Sequence, residues 1–179
     1  MEESVNSHLP DSGDGKDMGE GAGRSREPME DGDKSPDLTA EIYRQFGKGT
    51  HDAKSQSALS LAYIGDCIYD LVIRTVLVTH EGGKNGSLHN KSSKLVNASA
   101  QADLIDAIEP ELTDEELAVY HRGRNANNTS KAKNAPIVAY RKATGVEALI
   151  GYLYLEGRYE RLVELMRLGF DKTGQIQDH

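Results

Sequence analysis

The chain has 179 residues, room for one ordinary domain with a real core, and 37% apolar residues with a mean hydropathy of −0.61 are low for a chain folded along its whole length. A single cysteine excludes an internal disulfide, and the first fifty residues hold neither a secretory apolar run nor the acid-poor composition of an organellar transit peptide, so the cytoplasm is the expected compartment. The net charge of −8 argues against a nucleic-acid partner only until it is divided, because residues 1–56 carry 7 Lys and Arg against 13 Asp and Glu, whereas residues 57–179 carry 14 against 16.

Residues 1–52 are rich in Gly, Ser, Asp, Glu and Pro and cannot bury enough surface to offset the entropy of ordering. They are expected to form a disordered acidic extension that admits one short helix at 37–47, around Leu38, Ile42, Tyr43 and Phe46. The folded domain is expected at 53–170, with a polar tail at 171–179.

The stretch 57–79, SALSLAYIGDCIYDLVIRTVLVT, spaces Leu61, Ile64, Ile68, Leu71, Val72 and Val76 by threes and fours, which marks one helix face for burial. Asp66 lies off that face beside Gly65. A carboxylate in so apolar a helix either needs a partner, for which a metal ion is the obvious candidate, or is an ordinary surface aspartate. Asp70 and Arg74 stand four apart in the favourable acid-then-base order and predict a surface pair. Asp66, Asp70 and Arg74 would each cost about 3 kcal/mol at a bilayer centre, so this is not a membrane span. Cys67 reads as a small buried apolar residue.

The glycines of 80–86 predict a loop, and Ser87 is placed to cap a second helix that runs through Leu88, Leu95, Val96, Ala102, Ile105 and Ile108 to Glu109, where Pro110 stops it. His89, Lys91 and Lys94 sit at the start of that helix, where cations oppose the macrodipole. They serve an anionic partner or simply solvate an exposed face. Thr113-Asp114-Glu115-Glu116 is a capping box that opens a short third helix ending at Gly123.

The segment 124–135, RNANNTSKAKNA, is a polar loop that suits either a phosphate backbone or a flexible connector. It belongs to an acid-free window, 117–146, that holds Arg122, Arg124, Lys131, Lys133, Arg141 and Lys142. A fourth helix follows over 136–155. Gly145 and Gly151 weaken it by about 1 kcal/mol each unless close packing compensates, and Glu147 is a single carboxylate among apolar neighbours. Gly157 closes this helix, and 159–168 form a last amphipathic one. The class is all-α, a helical bundle without convincing strand or internal repeat.

Two lone carboxylates on the two most apolar helices, Asp66 and Glu147, could converge on one hard cation such as magnesium, with water and phosphate oxygens completing its shell. Beside a basic loop this pattern suggests metal-assisted cleavage of a phosphodiester, although acids without any catalytic role are commoner.

LAYIGDCIYDLVIR resembles the signature helix of the ribonuclease III family, and GVEALIGYLYLEG resembles its second acidic motif. HRGRNAN, between them, is similar to the RGRNA segment of the mini-ribonuclease III branch, which has the nuclease domain without an appended double-stranded-RNA-binding domain. The resemblance spans about 58–168. It implies a ribonuclease III-like endonuclease domain that cuts double-stranded RNA as a homodimer, with large-subunit ribosomal RNA precursor as substrate. It assigns Asp66 and Glu147 as the catalytic metal ligands, for Mg2+ with Mn2+ as an alternative. RNA contacts are expected from Arg122, Arg124, Asn125, Lys131, Lys133, Asn134, His89 and Lys91. Full-length members also carry a glutamate four residues before the aspartate and an aspartate three before the glutamate; here those positions are Ala62 and Thr144. The departure leaves open a non-catalytic module that clamps duplex RNA, and a helical scaffold for ribosomal proteins.

Overall fold

The computed structural model describes residues 38–80, 85–126 and 137–176, all of which lie in one compact unit. The described residues form helices and no strand: α1 (Leu38–Phe46), a 3-10 turn (Ala53–Ser55), α2 (Ala58–His80), α3 (Asn85–Leu95), α4 (Ala98–Ile108), a second turn (Glu109–Glu111), α5 (Asp114–Arg124), α6 (Ile137–Leu155) and α7 (Tyr159–Thr173). The expected extension at 1–36 and most of the loop 124–135, with Lys131, Lys133 and Asn134, lie outside the described residues. The short helix expected at 37–47 is α1.

Local chemistry accounts for the helix ends. Asp52 caps the first turn by accepting from the Ser55 amide at 2.7 Å, and Ser57 caps α2 by accepting from the Ser60 amide at 3.0 Å. Thr113 and Glu116 form the reciprocal capping box. Gly157 and Gly174, at φ of 71° and 65°, take the left-handed conformation that follows a helix C-terminus.

α6 is the centre of the bundle, packed against α2, α4, α5 and α7. Its face from Ala143 to Leu153 is almost entirely buried, with Leu149, Tyr152 and Leu153 meeting Leu61, Tyr69 and Ile73 of α2, Ile105 and Ile108 of α4 and Leu165 of α7 in one core. The α2–α6 crossing brings the two backbones into contact. A Cβ on Gly65 would collide with the Glu147 carbonyl oxygen, and one on Gly151 would collide with that of Leu61. On the other side of α6, a Cβ on Gly123 would lie 2.6 Å from Ala148 Cβ, and one on Gly145 2.5 Å from the Tyr120 ring. The close packing expected of Gly145 and Gly151 is therefore present on two faces of one helix.

Glu116 is wholly buried at the base of α5, where Arg158 (3.0 Å) and Arg161 (2.9 Å) bind its carboxylate. Tyr152 donates to Glu115 at 2.8 Å beside it. Because the two arginines and the Thr113 amide all donate to Glu116, its carboxyl stays below the usual glutamate range despite burial. This network ties α5 to the start of α7.

Several expectations are corrected. The second helix is not continuous over 87–109: it breaks at Val96-Asn97, because the Asn97 side chain accepts from the Ala100 amide at 3.0 Å and caps α4. Ser87 lies inside α3, which already begins at Asn85, rather than at its cap. Lys94, read as opposing a helix N-terminus, stands instead in the last turn of α3, where a cation is favourable. On α2 the buried line runs Leu61, Gly65, Ile68, Tyr69, Ile73, Leu77, leaving Leu71 51% exposed and Cys67 exposed instead of buried. The last helix continues to Thr173, and Gln175 donates to the Ala100 carbonyl at 3.1 Å while Ile176 packs on the core, so much of the tail expected at 171–179 is part of the fold.

The glycine crossing gives a sharp expectation. Gly65→Ala should destabilise the domain by about 3 kcal/mol or more, since backbone atoms cannot yield as a side chain would. Gly86→Ala, in α3 with open space around it, should stabilise by about 0.5 kcal/mol. Urea unfolding of both variants checks the pair, and a Gly65→Ala midpoint equal to that of the parent would show that the two helices do not cross so closely.

Candidate active site

The crossing that excludes a side chain from Gly65 places the next residue of α2 at the same level of the bundle as Glu147 of α6. Asp66 is exposed, as its place off the buried face requires, while Glu147 is half-buried. Their charges interact. The Glu147 carboxyl is pushed up to about 7, mainly by burial and then by the Asp66 charge, against a smaller opposing effect of a hydrogen bond from Gln101. Partial burial, followed by repulsion from Asp70, raises Asp66 as well. The structure thus brings together the two carboxylates singled out in the sequence, on two helices that touch through backbone.

Among the described residues no Lys, Arg or His lowers either carboxyl. Asp70, one turn beyond Asp66, gives one oxygen to Arg74 Nε at 2.7 Å, the pair read from their spacing, and its buried Oδ1 has no partner there. Among the described residues no three or more His, Cys, Asp or Glu side chains gather as metal ligands. Two mutually repelling carboxylates with a neutral amide between them and the protein interior fit a hard divalent cation, which takes oxygen donors and retains water. Asp66 and Glu147 are the residues that could hold it.

Two residues that the sequence reading passed over border Glu147. Gln101 of α4 is 1% exposed, and its Nε2 donates to Glu147 Oε1 at 3.4 Å and to the Val96 carbonyl at 3.2 Å. Tyr69 of α2 is wholly buried with its hydroxyl 3.5 Å from the Leu95 carbonyl, and burial and the Glu147 charge both hold its phenol protonated. A signal for Gln101 was available: it shares the spacing of Leu104, Ile105 and Ile108, so it is a polar residue on an apolar face.

The basic residues divide. Arg122 (exposed), Arg124 (half-buried) and Asn125 (exposed) end α5, the helix whose Gly123 touches α6 at Thr144 and Ala148, on either side of Glu147 in the chain. Lys142 is not available to the basic patch in the same way, because Asp106 binds its ammonium at 2.6 Å. His89 and Lys91 are exposed on α3, and His89 lines an open cavity of about 370 Å³ with Arg74, Leu77, Val78 and Leu88.

Residues 59–158 match the family model described as Ribonuclease III domain. The chain is 44% identical over 121 residues to Mini-ribonuclease 3 of Brevibacillus brevis, covering 68% of this chain and 90% of that protein. It is 43% identical over 129 residues to Mini-ribonuclease 3 of Enterococcus faecalis, covering 71% and 98%. A crystal structure of protein FN1578 from Fusobacterium nucleatum superposes with a TM-score of 0.62 at 26% identity, over 71% of this chain and all of that one.

The raised Glu147 pKa makes stability depend on pH. A carboxyl that titrates at about 7 folded and 4.5 unfolded contributes stability below pH 4.5 that is lost as pH rises through 7, by up to about 3 kcal/mol. In EDTA the protein should therefore melt at higher temperature near pH 5 than the Glu147→Gln variant's own pH dependence would give, and Glu147→Gln should exceed the parent at pH 8 by several degrees. Parallel melting curves for the two proteins across this range would count against the buried repulsion.

Proposed function

Because the chain belongs to the ribonuclease III family, in its mini-ribonuclease III branch, and is thus an endoribonuclease, we propose that it cuts double-stranded RNA at a divalent-metal centre formed by Asp66 and Glu147. The convergence of these two uncompensated carboxylates carries the reading. Magnesium suits the site, and manganese, which takes similar oxygen ligands, is an alternative. Bound there, such an ion supplies Lewis acidity toward a phosphoryl oxygen and acidifies a water.

The chain's own contributions follow from the geometry. Asp66, at the solvent edge, would hold an ion within reach of a substrate phosphate, whereas Glu147 would anchor that ion from the interior side. Arg122 and Arg124, at the end of the helix packed beside Glu147, offer cations to flanking phosphates, with Asn125 as a neutral contact. Lys131, Lys133 and Asn134 extend this set in sequence, and His89 and Lys91 offer a second contact on α3. Recognition through phosphates and 2'-hydroxyls suits A-form duplex RNA. The proposed physiological substrate is a large-subunit ribosomal RNA precursor, processed in the cytoplasm.

The proposed active form is a homodimer. Leu59, Tyr63, Cys67 and Leu71 recur every fourth residue on the outer face of α2, and Leu59, Tyr63 and Leu71 are 41%, 81% and 51% exposed. An apolar stripe this long on the helix that carries Asp66 fits a second copy of the same helix related by a two-fold axis. Two centres would then face the two strands of one duplex.

A duplex RNA incubated with magnesium should be cut, and with EDTA only retarded. Asp66→Asn and Glu147→Gln should each lower the cleavage rate at least about 100-fold while duplex retardation persists, as expected when a metal ligand is lost without loss of volume. Near-parental cleavage by either variant would remove that residue from the centre. Neutralising Arg122 and Arg124 together should weaken binding and flatten its dependence on salt, and an unchanged slope would place the RNA elsewhere.

For the dimer, Tyr63→Glu with Leu71→Glu should give a monomeric mass by sedimentation equilibrium and a large loss of cleavage. A double variant that still sediments as the parent does would rule out this face as the interface.

A further inference from the structure

The break between α3 and α4 changes what surrounds Glu147. In one continuous helix the Val96 carbonyl would accept from the Ala100 amide, and that of Leu95 from the Ser99 amide. Here the Asn97 side chain takes the Ala100 amide, and the Val96 carbonyl accepts from Gln101 Nε2 at 3.2 Å. The Leu95 carbonyl faces the Tyr69 hydroxyl at 3.5 Å. Two carbonyls released at the end of α3 thus anchor the two side chains that border Glu147.

The orientation of the Gln101 amide is set by these neighbours. Val96 O and an ionised Glu147 Oε1 only accept, so the nitrogen faces them and each of its protons has a partner. The amide oxygen is buried and has no partner among the described residues. An unsatisfied buried acceptor costs about 1–3 kcal/mol, and a methionine of similar shape would avoid it. The same methionine would, however, take the donor away from the Val96 carbonyl and from Glu147 Oε1. With Glu147 Oε1 engaged, Oε2 is left for an ion.

We propose that Gln101 is a positioning residue of the nuclease centre: by donating to Glu147 Oε1 it fixes the rotamer of that carboxylate and leaves its other oxygen for the ion, and so sets the affinity of the centre for its divalent ion. The role rests on the metal-centre reading above and adds to it a residue that touches neither ion nor RNA. A neutral donor is what the position requires. A lysine would compete with the ion as a cation, and an acid would add a third repelling charge.

The test uses the full chain at pH 8, with melting temperature followed in EDTA and along a magnesium chloride titration, so that ion binding is read without cleavage. Parent and Asp66→Asn are the reference curves. Gln101→Met, which also takes the donor from the Val96 carbonyl, should need about tenfold more magnesium for half of the stabilisation whatever its melting in EDTA, as other loosened supports of metal ligands do. Gln101→Asn, which keeps an amide but withdraws it by one methylene, should shift the midpoint in the same direction and keeps the question open to measurement if the methionine variant folds poorly. Parent-like magnesium midpoints in both variants, whatever their melting in EDTA, would make Gln101 structural only. A parent protein whose melting ignores magnesium as Asp66→Asn does would overturn the metal centre itself, and the role of Gln101 with it.

Discussion

The contact of α2 with α6 through glycine is the constraint on which the rest depends. Where Gly65 meets the carbonyl of Glu147 and Gly151 meets that of Leu61, two helices approach more closely than any side chain allows, and everything near the crossing is fixed by backbone. That is the accuracy a two-residue ion site needs, since ligands placed by rigid helices keep their separation when charge accumulates between them. The same economy recurs at Gly123 and Gly145, which seat the arginine-bearing end of α5 against the helix that carries Glu147. Helix propensity is sacrificed at three points of α2 and α6, and burial of the α6 face compensates for it.

Electrostatics at the centre then follow from packing. Glu147 is half-buried because α6 is enclosed by four other helices, and its charge is opposed because Asp66 lies at the same level on α2. Elsewhere the fold treats buried charge differently. Glu116 is more deeply buried, yet Arg158, Arg161 and the Thr113 amide satisfy it, and its carboxyl moves down rather than up. A buried glutamate and a half-buried one in the same small domain therefore have opposite responses, one a satisfied structural tie and one left short of positive charge. The contrast separates a site from a support.

Most of this was legible in the sequence because it depends on local chemistry. The capping box at Thr113, the Asp70-Arg74 pair, the helical class and the two isolated carboxylates all follow from residue types and spacing. The failures share a cause. The α2 face was misjudged at Leu71 and Cys67 because a strongly apolar helix offers several stripes, and only tertiary contact selects which one is buried. The break at Asn97 was missed because Val96 and Asn97 are tolerable inside a helix, and the competing cap becomes visible only when the Ala100 amide chooses the side chain over the Val96 carbonyl. Gln101 is a different case, since its place on the apolar face of α4 is legible in the sequence and only its partner, 46 residues away, is not.

The two missing acids have an account in the same packing. Ala62 and Thr144 are 6% and 4% exposed, beside Gly65 and Gly145 respectively, and the Thr144 hydroxyl already donates to the Tyr140 carbonyl at 3.1 Å. A carboxylate at either place would enter a region where one glutamate already titrates near 7, without a cation among the described residues to receive it. Closer packing and fewer acids are thus one choice. A centre with two carboxylates leaves more of an ion's shell to water and phosphate, which magnesium tolerates because it dehydrates reluctantly. It also places a larger share of the grip on each ligand, so whatever fixes the rotamer of Glu147 gains weight as the number of ligands falls.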